Sequence, residues 1–107
     1  MNRGDLVTVA MAGAYGKPRP AVIVQSPFFA HLGSITFLPF TSEILSTQIF
    51  RVLIMPNIEN GLQHPSQVMA DKCSTLPLQK VGAVFGRLGN DDLNRVDRAL
   101  ATFLGFN

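Results

Sequence analysis

The stretch Gly13-Ala14-Tyr15-Gly16-Lys17-Pro18-Arg19-Pro20-Ala21-Val22-Ile23-Val24 decides the fold class. Two glycines and two prolines break the chain, and an uninterrupted apolar run follows at once. Glycine and proline there mark a turn, and a short continuous apolar run bounded by a turn reads as a strand buried on both faces. Upstream, Leu6-Val7-Thr8-Val9-Ala10-Met11 is rich in β-branched residues and enters the same turn as a first strand.

The pattern continues outward. Ile35-Thr36-Phe37-Leu38 runs into Pro39, which cannot donate to a ladder and predicts a strand end or an edge. Phe50 to Met55, Gln67 to Asp71 and Ala83 to Leu88 read as three further strands. Six short strands without intervening long helices predict a small barrel or sandwich. The last segment changes period. Asn90 suits an N-cap, and Asp91 and Asp92 suit the positive end of a helix dipole. Leu93, Val96, Leu100, Phe103 and Leu104 form one apolar face, and Gly105 is a natural stop. The 107 residues therefore read as one domain, 1–107, mostly β with a C-terminal helix.

Composition narrows the function classes. No segment offers the roughly 18 apolar residues of a membrane span. The start Met1-Asn2-Arg3-Gly4-Asp5 is not followed by a secretory apolar core, so a cytoplasmic location is expected. A single cysteine, Cys73, cannot form an intrachain disulfide. The net charge is +2, with seven basic and four acidic residues in 1–88 and two basic and three acidic in the last nineteen. A mildly basic body tolerates a polyanion without demanding one. Two distant histidines and one cysteine make no zinc signature, so no metal and no cofactor are expected. Adjacent Asp91 and Asp92 point about 100° apart on a helix, which favours capping over acid–base work.

Four stretches together resemble the MazF/PemK toxin family. They are Arg3-Gly4-Asp5-Leu6-Val7, Lys17-Pro18-Arg19-Pro20-Ala21-Val22-Ile23-Val24, Leu38-Pro39-Phe40-Thr41-Ser42, and Ser66-Gln67-Val68-Met69-Ala70-Asp71-Lys72. Val81-Gly82 to Arg87-Leu88 and the helix complete the match, which spans nearly the whole chain. The resemblance implies an SH3-like small barrel of the CcdB/PemK kind, homodimeric, with RNA admitted to a groove at the interface. It implies a toxin that cleaves single-stranded RNA without a metal. The 2′-hydroxyl attacks the neighbouring phosphorus and leaves a 2′,3′-cyclic phosphate and a 5′-hydroxyl. Its partners would be a cognate antitoxin, whose disordered acidic segment blocks the groove, and operator DNA for the complex.

Carried over residue by residue, the resemblance assigns catalysis to Arg19, Thr41 and Asp71. Arg19 would hold phosphate oxygens, since a guanidinium fork matches them and stays charged. Thr41 would donate its hydroxyl. Asp71 has three open roles: orienting Arg19, acting as a base, or closing a turn. RNA contacts fall to Tyr15, Lys17, Ser42, Ser66, Gln67 and Lys72, with Tyr15 able to stack on a base. His31 and His64 read as ordinary loop residues. The chain departs from the pattern at Met69, where some relatives have an arginine, in a first loop without histidine, and at Lys72 in place of a glutamine. Two alternatives follow: Arg19 carries more of the catalysis, or activity is low. Two competing functions stay open. One is a gyrase poison of the CcdB kind, suggested by Phe103-Leu104-Gly105-Phe106-Asn107; the other is an inactive relative that binds antitoxin or operator DNA.

Overall fold

A computed structural model describes residues 1–11, 17–46 and 48–106. Among the described residues, seven strands, β1 Asp5–Val9, β2 Arg19–Ile23, β3 Ser34–Thr41, β4 Arg51–Ile54, β5 Ser66–Met69, β6 Ser74–Pro77 and β7 Gly86–Arg87, precede one α-helix, α1 Asn90–Leu104. They form one antiparallel sheet in the order β4-β5-β3-β2-β1-β7, with β6 added on β3. The result is the expected mostly β architecture, a half-barrel sheet with a C-terminal helix.

Strand β3 organises the sheet. One edge pairs with β2, Ala21 opposite Pro39 and Ile23 opposite Phe37. The other edge carries two partners in succession: β6 along Ser34–Phe37, then β5 at Phe40 and Thr41. Of the two alternatives the sequence offered, a strand end or an edge, Pro39 fits the second and does not end the strand. It stands at the junction between the two partners, where the edge has no neighbour that needs its missing N–H. Strand β6 has no sequence signal, because Ser74-Thr75-Leu76-Pro77 reads as a turn; only the open edge of β3 makes it a strand. The sixth predicted strand shrinks to Gly86–Arg87 paired with β1.

The period-two alternation buries both faces. Leu6, Val22 and Leu38 are cross-strand neighbours on one face and pack with Val52, Ile54, Val68, Leu88 and the helical Val96 and Ala99. Val7, Val9, Ala21, Ile23, Ile35 and Phe37 form a second cluster on the other face, closed by Met11, Leu76 and Val81. Each fully buried branched or aromatic side chain contributes roughly 1.5–3 kcal/mol. This explains why Ala21-Val22-Ile23 carries no polar residue.

The helix begins one residue earlier than expected. Gly89 occupies the N-cap, without a side-chain cap bond, and Asn90 is the first helical residue. Gly105 stops the helix at φ 86°, a conformation that disfavours side chains. The apolar stripe is only partly used: Val96 and Ala99 are buried, whereas Phe103 and Leu104 are each 49 % exposed. Arg3 anchors the helix to the chain start by a bidentate pair with Asp97, which gives Arg3-Gly4-Asp5 its structural role. Among the described residues, no helix is long and apolar enough to cross a membrane.

Candidate functional site

The β2–β3 register sets the site. Pairs 21 with 39, 22 with 38 and 23 with 37 continue outward to bring Arg19, the first residue of β2, opposite Thr41, the last of β3. Cross-strand neighbours stand about 5 Å apart. Both residues border two hollows that meet at these strand ends. The first, about 640 Å³, is lined by Thr8, Lys17, Arg19, Thr41, Ser42, Gln63, His64 and Ser66, over apolar walls from Pro18, Pro20, Phe40, Leu62 and Phe85. The second, about 630 Å³, is lined by Met11, Arg19, Thr41, Met69, Asp71, Lys72 and Cys73 among others.

Arg19 differs from four of the other five arginines, Arg98 being the fifth. Arg3, Arg51, Arg87 and Arg95 each hold a carboxylate, from Asp97, Asp71, Asp5 and Asp92 respectively. Among the described residues, Arg19 and Lys17 have no such partner, and both are exposed. An unpaired guanidinium beside a hydroxyl at the mouth of a partly apolar hollow suits a phosphate group. The Thr41 hydroxyl accepts from the Glu43 N–H at 3.1 Å, which leaves its own proton to donate.

Asp71 is built differently from Arg19. Its two oxygens accept from Arg51 Nε at 2.9 Å and from Arg51 Nη2 at 3.1 Å, and the two side chains are only 16 and 12 % exposed. Arg51 in turn lies 5.6 Å from the Phe50 ring centroid. The Arg51 hydrogen bonds hold the Asp71 carboxyl below the usual carboxylate range. An aspartate so paired is a poor proton acceptor near neutral pH. It sits in the short 3-10 turn Ala70–Lys72 and still borders the hollow shared with Arg19.

The other predicted contacts divide. Lys17, Ser42 and Ser66 border the first hollow and Lys72 the second. Ser66 is largely buried, with its hydroxyl donating to the His64 carbonyl. Gln67 is a correction. It is buried, its amide oxygen accepts from the Leu45 N–H and its amide nitrogen donates to the Leu45 carbonyl, so both groups tie down the segment after β3 and neither is offered to a ligand. Tyr15 lies outside the described residues. Met69 borders the second hollow, so the position where some relatives have an arginine does face the site here.

Several lining residues escaped the sequence reading. Gln63 and His64 come from the β4–β5 connection and Phe85 from the approach to β7, brought together only by sheet closure. Arg51 escaped too: in sequence it is a lone charge in a strand, and only the register Arg51 opposite Met69 places it near Asp71. Among the described residues, no three His, Cys, Asp or Glu side chains converge as a metal site would require.

The family model for the PemK-like, MazF-like toxins of type II toxin–antitoxin systems matches residues 2–104. A probable endoribonuclease MazF of Mycolicibacterium smegmatis is 42% identical over 106 residues, 98% of this chain and 97% of that protein. Among solved structures, an endoribonuclease in complex with its cognate antitoxin from a mycobacterial species superposes with a TM-score of 0.83 at 23% identity, over 100% of this chain and 97% of that one. A MazE–MazF crystal structure from Deinococcus radiodurans gives 0.79 at 24% identity, over 100% and 97%. The structural likenesses establish the fold, and the family model with the full-length relative establishes the kinship: this chain belongs to the PemK-like, MazF-like toxins of type II toxin–antitoxin systems.

Proposed function

We propose that the chain is an endoribonuclease that cuts single-stranded RNA without a metal, giving a 2′,3′-cyclic phosphate and a 5′-hydroxyl. The observation that carries this reading is the unpaired Arg19 opposite Thr41 where the two hollows meet. The full-length relative, named a probable endoribonuclease, supports it. In this mechanism the ribose 2′-oxygen forms a bond to the adjacent phosphorus while the bond to the 5′-oxygen breaks. One proton leaves the 2′-hydroxyl and one reaches the departing 5′-oxygen. Arg19 spreads its donors over the non-bridging oxygens as negative charge builds, and the Thr41 hydroxyl donates to the same group. Asp71, held as a carboxylate by Arg51, fixes the geometry of the second hollow and leaves the 2′ proton to another group. Lys17, Ser42 and Lys72 meet the flanking backbone, Lys17 and Ser42 from the first hollow and Lys72 from the second.

The working unit is a homodimer in the cytoplasm, neutralised by an antitoxin whose complex binds operator DNA. Support for self-association comes from the exposed apolar residues Phe28, Leu32 and Leu78; the Leu78 N–H donates to the carbonyl of Gly33, the residue after Leu32. Support for an acidic antitoxin segment comes from the basic rim of the hollows. The family match and the named relative favour cleavage over gyrase poisoning. The Phe103-to-Asn107 tail that suggested the gyrase reading is exposed through Phe106, and Asn107 lies outside the described residues.

The deciding experiment incubates the purified protein with a long single-stranded RNA in EDTA and maps cuts by primer extension. Discrete cuts at a short recurring sequence that disappear in Arg19→Ala establish the reading, and end-group analysis checks the cyclic phosphate. Intact RNA overturns it and moves the question to a supercoiling assay.

A further inference from the structure

Phe85 is a large apolar side chain left 40 % exposed in the wall of the first hollow. Phe40, the other phenylalanine there, is almost fully buried and offers no ring face to a ligand. The backbone around Phe85 is held on three sides. Its N–H donates to the Leu6 carbonyl at 2.9 Å, and the Arg87 N–H donates to the Glu59 carbonyl at 3.0 Å. Gly86 packs so closely on the loop that an added Cβ would lie 2.1 Å from the Asn60 carbonyl oxygen. Gly61, at φ 68°, lies against the ring: a Cβ there would be 3.3 Å from Phe85 Cδ1 and 3.1 Å from its carbonyl oxygen. The ring thus rests on Gly61 while Gly86 fixes the backbone beside it, and its exposed part lines the hollow that also holds Lys17, Arg19 and Thr41.

We propose that Phe85 is a stacking platform for one nucleobase next to the phosphate held by Arg19, and that it helps set which sequences are cut. The inference rests on the ribonuclease reading and adds a specificity-determining residue to it. Lys17 and Arg19, without a carboxylate partner among the described residues, favour an anionic chain as occupant, and the apolar wall in the same hollow suits the base such a chain carries. An aromatic ring seated in advance loses little freedom on binding, and base–aromatic stacking tolerates different bases while favouring purines.

The test uses Phe85→Leu, which keeps an apolar side chain in the wall, and Phe85→Tyr, which keeps the ring. Binding is measured by fluorescence of a short oligonucleotide whose sugars are 2′-deoxy, so that it is not cut, with 2-aminopurine placed in turn at each position. Cleavage of long RNA is mapped in parallel. The expected result is quenching at one position with wild type and Phe85→Tyr. Phe85→Leu is expected to lose that quenching, to bind roughly tenfold or more weakly as loss of one stack predicts, and to show a relaxed cut-site preference. If wild type cuts RNA and Phe85→Leu binds, quenches and cuts as wild type does, the platform is overturned and the ribonuclease reading stands. If Phe85→Leu alters only antitoxin affinity, the platform is likewise overturned in favour of a protein contact. If wild type neither cuts RNA nor binds the probe, both fall together.

Discussion

Removing Arg51 is expected to destabilise the protein more than removing any other ion-pair partner, although it lies on no predicted motif. The pair it forms with Asp71 is bidentate, and its two side chains are 12 and 16 % exposed, against 46 % for Arg87 and 45 % for Arg95 in their pairs. Exposed pairs contribute at most about 1 kcal/mol. Breaking a well-buried one by deleting a single partner costs about 3–5 kcal/mol, because the remaining charge is left without its partner. The residual exposure here places Arg51→Ala near the low end, about 3 kcal/mol, which includes the lost contact with Phe50. For a chain of 107 residues each kcal/mol moves Tm by about 4–5 °C, so a drop of roughly 13 °C is expected.

The assay is thermal unfolding of wild type, Arg51→Ala, Asp71→Asn and the double variant at one fixed protein concentration, since self-association shifts Tm by mass action. The coupling between the two sites is expected to be about 2 kcal/mol at pH 7. Its pH dependence has a definite sign. Arg51 lowers the Asp71 pKa in the folded state, so the contribution is fully present above the unfolded carboxylate value of about 3.9. It is lost as pH falls through the lower folded value. A coupling under about 0.5 kcal/mol at pH 7, or one that persists unchanged in strong acid, refutes the argument that this pair is a structural bond of the site.

Arg19→Ala is expected to lower the rate of RNA cleavage by about 10²–10³-fold with the dimer intact by gel filtration, as removal of a charge-stabilising donor does. Asp71→Asn is expected to weaken cleavage less, and side-by-side rates showing an equal or larger loss would promote Asp71 to a catalytic group. Asn60→Ala is expected to cost about 2–3 kcal/mol in denaturant unfolding, because the buried Asn60 side chain accepts from Asn57 and Leu62 N–H groups and donates to the Met55 carbonyl. Binding of a non-cleavable single strand is expected to weaken with salt at a log–log slope of about −2, given Lys17, Arg19 and Lys72 around the hollows and about −0.7 per phosphate contact. A flat salt dependence would remove these residues from the RNA path.

What the sequence made legible is what local chemistry controls. The turn-then-apolar stretch 13–24 announced a strand buried on both faces, and the 93–104 stripe announced the helix, because pattern and propensity act over a few residues. Pro39 left a strand end and an edge both open because its tolerance depends on the edge it faces, and that edge is settled by β5 and β6, more than twenty residues downstream. Gln67, assigned to RNA through the resemblance, was beyond local reading too: the Leu45 backbone, more than twenty residues away in sequence, engages both ends of its amide. Phe85 carries no local signal at all, since its seat is made by Gly61 in a different loop, which lies against the ring. Arg19 was reached through resemblance; from residue chemistry alone it is a turn arginine.

The distribution of charge explains why so modest a net value can serve a polyanion. Four of the seven acidic residues are bound to arginines, and each of those pairs ties separate parts of the fold or steadies the helix: Arg3 to Asp97, Arg87 to Asp5, Arg51 to Asp71, Arg95 to Asp92. These pairs are nearly neutral at a distance. The cations left over include Lys17, Arg19 and Lys72, and all three border the two hollows, where the one acidic lining residue is Asp71, already matched by Arg51. Among the described residues, three of the five cations outside these pairs therefore stand around the hollows at the ends of β2 and β3, Lys80 and Arg98 being the other two, and low-dielectric walls from Phe40, Leu62 and Phe85 strengthen their field there. By this argument, neutralising Lys80, which borders neither hollow, leaves binding of a single strand unchanged, while neutralising Lys17 weakens it.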